Sequence, residues 1–449
     1  MPFIGNKPAN KAVVASDLDP AVITGQTALT DKPADTDEFL ISDAGTLKRI
    51  DASLVGGGGI AWQSSVKTST FTAVDGEGYF VNTTSGAVTV NLPAGSAGAV
   101  VAIKDYANTF DTNNLTISAN GSEKISGLAN DKKLDTEGIA VTIVYIDSTR
   151  GWLVANDGLE SNLKDISYSA DFLCIAGGGG GNTGGGGAGG YRNSYNSETS
   201  GGGGSSESSI GFTSGIVYTI TVGAGGAGVQ SNQTANDGVA SSIAGSGLTT
   251  VTSVGGGGSG TTDGGSPARN GRSGGSGGGG AGDGNGTTGG SGTANQGYDG
   301  GGSSTGNPYP GGGGGGAGAA GTAGSGSNGG NGGNGVSSSI NASATTRAGG
   351  GGAGGAVNST NSGSGGSGGG GAGAGSNSNG SNATANTGSG GGGLKPYLAG
   401  YVGGNGGSGV VILRMPTSNY SGTTSGSPTV TTSGSDTIIT FNASGSYTG

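Results

Sequence analysis

Residues 177 to 407 are almost entirely Gly, Ser, Asn, Thr and Ala, and they include most of the 113 glycines of the chain. A tract so poor in apolar side chains is typical of a flexible linker, because it buries too little surface to offset the entropy of ordering. It can be ordered only if backbones pack directly against one another, which glycine permits because it has no Cβ. The tract is therefore either a linker or a lattice built of backbone.

A polyproline II backbone suits such a lattice, because it has three residues per turn and leaves every amide available to neighbouring segments. Four glycine runs, 273–282, 311–324, 349–355 and 363–375, are long enough to form rods of roughly 20 to 40 Å in that conformation. Glycine does not recur strictly at every third position, so a collagen triple helix is not expected. The sequence predicts packed polyglycine II-like helices.

Apolar strands are predicted on both sides of the tract and twice inside it. They lie near residues 166–176, 216–222, 248–254, 409–416 and 428–441. Their positions predict a β scaffold from which a long insertion emerges and to which it returns. Together with the tract they define a glycine-rich domain at residues 158–449.

Two smaller parts precede this domain. Residues 1–59 are irregular and polar except for a predicted β-hairpin at 38–51. Residues 60–157 are predicted to form an all-β module, because short apolar runs alternate with turn residues as in a sandwich or barrel. Trp62 and Trp152 bracket this module and are predicted to close its core. The predicted strands are 69–74, 78–82, 87–92, 99–104, 115–119, 139–146 and 152–155. No α-helix is expected anywhere.

Charge and apolar content exclude several partners. Residues 1–176 carry 12 basic and 21 acidic side chains, almost the whole net charge of −10. Such a surface should repel nucleic acid and anionic membranes, and no basic stripe offers a phosphate footprint. No apolar run approaches the length that spans a bilayer, and the amino terminus lacks the apolar core of a secretory signal. We therefore expect that the protein neither binds nucleic acid nor inserts into a membrane, and that it is synthesised in a cytoplasm.

Enzymatic chemistry is not expected either. The chain has no histidine, and its single cysteine, Cys174, lies in an apolar strand, where a buried side chain is expected. Gly223 to Gly228 matches the dinucleotide fingerprint G-x-G-x-x-G, but the residues that follow predict no helix. Carboxylate pairs could be drawn for glycan hydrolysis, but no spacing singles one out. We assign no catalytic, cofactor-binding or metal-binding residues.

The few large side chains of the tract cluster at interruptions between glycine runs. Tyrosine and arginine at such turns have the composition of a binding surface, since tyrosine supplies rigid contact area and arginine a planar donor fork. They could equally cap the rod ends. Tyr397 and Tyr401 lie near the returning strand and are expected to be structural. The candidate receptor contacts are Tyr191, Arg192, Tyr195, Arg269, Arg272, Tyr298, Tyr309 and Arg347. Among them Tyr191, Tyr195, Tyr298 and Tyr309 are the tyrosines expected to be exposed.

The pattern as a whole resembles bacteriophage tail fibre proteins, especially those of marine phages. The resemblance rests on the hairpin Phe39 to Ile50, the segments 78–82 and 88–93, Gly151-Trp152, and the tract that opens at Ala176-Gly177 and closes with Gly-Val-Val-Ile-Leu-Arg414. It also extends to phage adhesins whose tips are packed polyglycine II helices with variable loops. The uneven lengths of the glycine runs depart from that pattern, so individual rods cannot be assigned.

The resemblance implies a homotrimeric virion appendage without enzymatic activity. Its amino-terminal segment would attach to the tail or an adaptor protein, and the β module would form a stalk or shoulder. Loops of the glycine-rich domain would contact a host-surface glycan or an outer-membrane protein. Two alternatives stay open: a purely structural virion spacer that touches no receptor, and a free ice-binding or matrix protein.

Overall fold

The structure, a computed structural model, describes residues 38–43, 46–51, 59–156, 164–262 and 269–449. These residues are β or irregular, with single 3-10 turns as their only helical pieces, and none forms a helix able to cross a membrane. The chain divides into two compact units, Met1–Lys164 and Asp165–Gly449. The expected fold class, all-β modules followed by a glycine-rich domain, is confirmed. The 3-10 turns are Tyr195–Ser197, Gly201–Gly203 and Thr417–Asn419.

The predicted amino-terminal hairpin is confirmed. Strand β1 (Glu38–Asp43) pairs antiparallel with β2 (Thr46–Asp51), in a register that places Asp43 opposite Thr46. Arg49 and Glu38, which lie near the open end of this pair, form an ion pair at 2.8 Å. The rest of the expected attachment segment, apart from Gly59, lies outside the described residues.

The first unit pairs many of its strands in parallel within two sheets. Its strands are β3 (Ala61–Lys67), β4 (Phe71–Thr72), β5 (Glu77–Val81), β6 (Val88–Asn91), β7 (Val100–Asp105), β8 (Leu115–Ser118), β9 (Lys132–Leu134), β10 (Ala140–Asp147) and β11 (Gly151–Val154), and β12 (Lys164–Asp165) lies at the boundary of the unit. Strands β3, β5 and β7 pair in parallel in one sheet, and β4, β6 and β8 pair in parallel in the other. Strands β9 and β10 then add antiparallel to β8 and β7. Strands β3 to β8 thus alternate between two sheets, which strand spacing alone does not reveal.

One of the two tryptophan predictions for this unit is confirmed and the other is wrong. Trp152 is fully buried, and its indole N–H donates to Glu123. Trp62 is 46 % exposed, because β3 is an edge strand and the ring lies over Phe80 and Gly78 on its outside. Of the two tryptophans, only Trp152 belongs to the core of this unit.

The second unit rests on two antiparallel sheets. Its strands are β13 (Ser167–Ile175), β14 (Tyr191–Asn193), β15 (Ile210–Thr213), β16 (Val217–Thr221), β17 (Ser241–Gly245), β18 (Leu248–Ser253), β19 (Val336–Ser338), β20 (Thr345–Arg347), β21 (Val410–Pro416), β22 (Thr424–Ser425), β23 (Thr429–Ser433), β24 (Asp436–Phe441) and β25 (Gly445–Thr448). One sheet has the order β14-β13-β21-β24-β23, with β15 also on β13, and the other has the order β18-β17-β16-β25-β22. Side chains such as Phe212, Tyr218 and Tyr447 fill the core between them.

The glycine tract leaves this scaffold and returns to it, as predicted. Strand β13 pairs antiparallel with β21, and Cys174 lies opposite Val411. The tract therefore begins directly after one strand and ends directly before its neighbour. Between β18 and β21, the described residues form one further pair of strands, the antiparallel hairpin of β19 and β20.

Within the tract, backbone hydrogen bonds repeat every three residues. In the rod 185–190, the amides of Gly185 and Ala188 donate to Gly312 and Gly315 of one neighbouring rod. The amides of Gly186 and Gly189 donate to a second neighbour, at Gly391 and Gly388, and those of Gly187 and Gly190 donate to a third, at Gly257 and Val254. Three partners in rotation are what a helix with three residues per turn produces, so the pattern agrees with the expected polyglycine II-like rods.

Glycine is required wherever rods meet. A Cβ added to Gly185, Gly186 or Gly314 would lie closer than 3.0 Å to a carbonyl oxygen of another rod. The buried amides find partners because no side chain separates the backbones. The tract is therefore a lattice whose interior is backbone.

Two of the glycine runs that are predicted to form single rods each turn back and form two rods. The run 311–324 turns back near Gly318, since the amides of Gly313 and Gly316 donate to Thr322 and Ala319. The run 363–375 turns at Gly368 and Gly369, whose φ values are +96° and +107°. In the run 363–375 glycine forms both the rod and the turn, so composition does not mark the break.

At the sides of the lattice, asparagine side chains accept hydrogen bonds from backbone amides of neighbouring segments. On the exposed flank, Asn331 Oδ1 and Asn334 Oδ1 accept hydrogen bonds from the amides of Ser364 and Ser367. Asn382 Oδ1 accepts from the amide of Asn405 in the same way on another flank. A side-chain carbonyl thus takes the position of a missing backbone carbonyl at the three-residue period.

Candidate binding loops

The hydrogen-bond register sorts the turns of the lattice into two ends. The first rod leaves β13 at Gly177 and reaches a turn at Asn182 and Thr183. The last rod runs beside it in the opposite direction, because Gly178 and Gly181 donate to residues 407 and 404. We call the end next to the strands the scaffold end, and the opposite end, around Thr183, the free end. Each candidate loop is assigned to one of them by its rod's register.

The scaffold end holds Tyr191, and the expectation that this tyrosine is exposed is wrong. Tyr191 lies on β14 opposite Ile175, and its side chain has no exposed surface. It packs with Ala188, Ala317 and Ile340 between the sheet and the lattice. Burial raises the pKa of its phenol. Tyr191 is a core residue and offers nothing to a receptor in this chain.

Arg347 is also at the scaffold end and is buried, which contradicts its choice as a contact residue. It lies on β20 and is 8 % exposed. Desolvation by burial lowers the pKa of its guanidinium. The short β19–β20 hairpin folds Arg347 inwards against the Tyr191 region, a direction that the sequence Thr-Thr-Arg does not disclose.

Tyr195 and Tyr298 are half-buried. The guanidinium of Arg414 lies over the Tyr195 ring at 4.8 Å and is itself paired with Asp436 at 2.9 Å. The Tyr298 hydroxyl lies beside Gly203. Both tyrosines belong to the scaffold end, where their rings cover the junction between strands and rods.

Glu198 ties two loops together at the same junction. It accepts hydrogen bonds from the amide and hydroxyl of Ser339, at 2.9 and 2.6 Å, and from the amide group of Asn193. Burial alone would raise the pKa of this carboxyl, but the hydrogen bonds to its charged form outweigh burial and lower it.

A pH test follows for Glu198. A lowered pKa means that the ionised carboxylate stabilises the fold above about pH 4.3, the unfolded value, and that this stabilisation is lost as pH falls through the folded pKa. We expect Glu198→Gln to lower the free energy of unfolding by roughly 1 kcal/mol at pH 7, with a smaller difference at pH 3. Urea unfolding of both proteins at the two pH values measures this; an equal difference at both would contradict the assignment.

Arg192 lines a polar cleft of about 640 Å³ near the scaffold end. Its guanidinium binds Glu207 with two donors and also donates to the Thr252 carbonyl. The hydrogen bond to Glu207 raises the pKa of Arg192. Gln296 also lines the cleft, and its Oε1 accepts from the Val254 amide. The cleft therefore offers hydrogen-bond donors and acceptors, but the positive charge of Arg192 is already paired with the carboxylate of Glu207.

Arg272 lines a second cleft, of about 710 Å³, on the side of the lattice. Its guanidinium is exposed and lies 2.7 Å from Asp237. Asp237 also accepts from the Gly258 amide, and Asn270 in the same cleft accepts from the Thr288 amide. The sequence indicates the arginine but not its carboxylate partner, because the two residues lie in different interruptions of the tract.

The free end brings together Arg269, Tyr309 and Tyr397. Arg269 pairs at 3.1 Å with Asp283, whose side chain is almost fully buried. The rings of Tyr309 and Tyr397 meet edge to face at 6.0 Å. Tyr397 is 57 % exposed, so the expectation that it is a structural residue is wrong. Register explains the error: the amide of Leu394 donates to Asn182, which places the following loop at the end remote from the returning strand.

Cys174 and the stretch from Gly223 to Gly228 both have structural positions. Cys174 is buried as predicted, and desolvation raises the pKa of its thiol to about 11, so it stays protonated at neutral pH. In the described part of the chain, no three metal-binding side chains cluster. The stretch from Gly223 to Gly228 is a lattice rod, in which Gly226 donates to Gly178, and no helix follows it.

The glycine-rich domain family matches residues 160–416, which is more than half of the chain. The chain therefore belongs to the glycine-rich domain family. No curated protein matches it. The match begins just before β13 and ends with β21, so it includes the scaffold strands that hold the ends of the tract.

Proposed function

We propose that this chain is a non-enzymatic structural virion protein, a tail fibre or adhesin. Its amino-terminal segment attaches to the tail or to an adaptor protein, and its glycine-rich domain contacts the surface of a bacterial host. The protein is made in the host cytoplasm and resides in the virion, as a homotrimer.

One observation carries the proposal. Three separate interruptions of the lattice bring Arg269, Tyr309 and Tyr397 to the end remote from the β scaffold. A lattice of backbone hydrogen bonds holds these loops, and the loops themselves can vary in sequence without disturbing it. The Tyr397 ring is exposed and the Tyr309 ring that supports it is half-buried. An exposed aromatic ring with a planar donor group nearby is suited to recognition.

The contact of a single chain with a receptor need not be strong. Three copies in one fibre, and several fibres in one particle, would engage a surface together, and linked weak sites gain affinity through a high effective concentration. The acidic amino-terminal part and the lattice then act as spacer and support.

A second candidate is a spacer that binds no receptor. It is favoured by the pairing of Arg192, Arg269 and Arg272, each of which already has a carboxylate partner within the chain. Ion pairs of this kind can serve to fasten loops and nothing more.

Binding to cells separates the two. We expect the purified full chain to bind saturably to cells of at least one strain in a bacterial panel, and to slow adsorption of the virus that carries it. Gold-labelled antibody to the chain should mark fibre tips in electron micrographs of the particle. Labelling of particles without any cell binding would favour the spacer, and absence from particles would overturn both.

A further inference from the structure

The two tyrosines at the free end both have an unusual backbone conformation. Tyr309 and Tyr397 have φ values of +66° and +55° and are the only aromatic residues with positive φ in the described chain. The left-handed region is unfavourable for bulky side chains. Such strain persists only when the surrounding structure imposes it, and it concentrates at functional sites. Here both members of one ring pair carry it, which indicates that the position of the rings matters.

The pair is asymmetric. The Tyr309 ring packs tightly over Gly284, where an added Cβ would collide with it. Tyr397 leans edge to face on Tyr309 and leaves most of its own surface in solvent. Tyr309 therefore supports the ring, and Tyr397 presents it.

Tyr397 forms one wall of a cleft of about 230 Å³. Leu398 and Ala399 continue that wall, and Gln230, Ser231 and Asn232 form the opposite one. The opposite loop is held in place by Asn182, whose side-chain amide donates to the carbonyl of Gln230. The cleft is smaller than the pockets of drug-sized ligands, which begin near 300 Å³, so it suits a single ring.

The side chains of the cleft are uncharged. They combine one aromatic face with amide and hydroxyl groups, which both donate and accept hydrogen bonds. The nearby Arg269 is paired with Asp283, so it gives the cleft no net charge. A pyranose ring has the matching surface, with C–H groups on its face and hydroxyls at its rim, and a neutral one involves no buried unpaired charge.

We propose that this cleft is a subsite for one pyranose ring of a neutral saccharide, stacked on Tyr397 and hydrogen-bonded by Gln230, Ser231 and Asn232. The inference rests on the proposed function and narrows the receptor from any surface molecule to a neutral glycan. It also gives a reason for the strain at Tyr397, because glycine would adopt the same backbone conformation without strain but would supply no ring for stacking.

The test compares three variants of the full chain on a printed array of neutral and acidic bacterial-surface oligosaccharides. We expect the wild-type chain to bind neutral members of the array. Tyr397→Gly should weaken binding by about tenfold or more, equivalent to about 1.4 kcal/mol, while its Tm stays the same or rises because the strain is relieved. Tyr397→Phe keeps the ring and should retain binding. Tyr106→Ala, which removes a tyrosine that is 58 % exposed in the first unit, should match wild type.

Several results would overturn the subsite. They are wild-type binding only to acidic glycans or to none, unchanged binding in Tyr397→Gly, and a clearly lower Tm in that variant. Periodate treatment of cells, which destroys sugar rings, separates this failure from failure of the proposed function. Saturable binding that survives periodate leaves an adhesin with a protein receptor, whereas no cell binding before treatment contradicts both proposals.

Discussion

A single methyl group in the middle of the lattice is expected to destabilise the glycine-rich unit strongly. In Gly186→Ala the new Cβ would collide with the backbone at Gly179. The rod cannot move aside, because its amide donates to Gly391 and its carbonyl accepts from Gly351. We expect the loss in free energy of unfolding to be about 3 kcal/mol or more, since overpacking here displaces backbone instead of a flexible side chain.

The matched control is Gly211→Ala. Gly211 lies on β15 with open space where its Cβ would be, and its φ is not positive. Alanine there should change stability by less than about 0.5 kcal/mol. Thermal unfolding followed by near-ultraviolet circular dichroism of the tyrosines measures both variants. Equal stability of the two variants would mean that rods do not contact through their backbones.

The second large effect is expected for Tyr191→Ala. Its fully buried ring fills the space between sheet and lattice, together with Ala188 and Ile340. Removing a buried aromatic side chain typically costs about 3 to 5 kcal/mol through lost contacts and the cavity left behind. We expect an effect of that size on unfolding, and loss of cell binding only to the extent that the fold is lost.

Tyr397→Ala is the comparison for that experiment, because its ring is 57 % exposed. Its stability should stay within about 1 kcal/mol of wild type. Calorimetric unfolding of both variants distinguishes the two positions. If Tyr191→Ala were as stable as wild type and bound cells poorly, the structural assignment of Tyr191 would be wrong.

These two tyrosines illustrate what can and cannot be predicted from the sequence. Both stand at interruptions of the glycine tract. Tyr191 was assigned from its place in such an interruption, and Tyr397 from its short distance along the chain to the returning strand. Tyr191 was expected to be exposed and is buried on β14, while Tyr397 was expected to be structural and is at the free end. Distance along the chain is a poor guide here, because one rod of six residues carries the chain from one end of the lattice to the other.

The same limit applies to rods and turns. In most folds a periodic pattern of apolar residues indicates a helix or strand, and a glycine or proline indicates where that helix or strand ends. In 363–375 the rod and its turn are both glycine, so the positive φ at Gly368 and Gly369 has no signal in the sequence. The strands of the first unit are predicted from the sequence, apart from β3, β9 and β12. Their parallel pairing is not, since residue types do not specify which sheet a strand joins.

The sequence by itself determined the class of the fold. Apolar strands at both margins of the tract, with glycine between them, permit only a tract that leaves a β scaffold and returns to it, and the lack of side chains makes backbone contact the means of packing. The tertiary structure decided which interruptions share an end. That outcome depends on hydrogen bonds between amides and carbonyls that are identical at every glycine, so the register of each rod is set by its neighbours across the whole lattice.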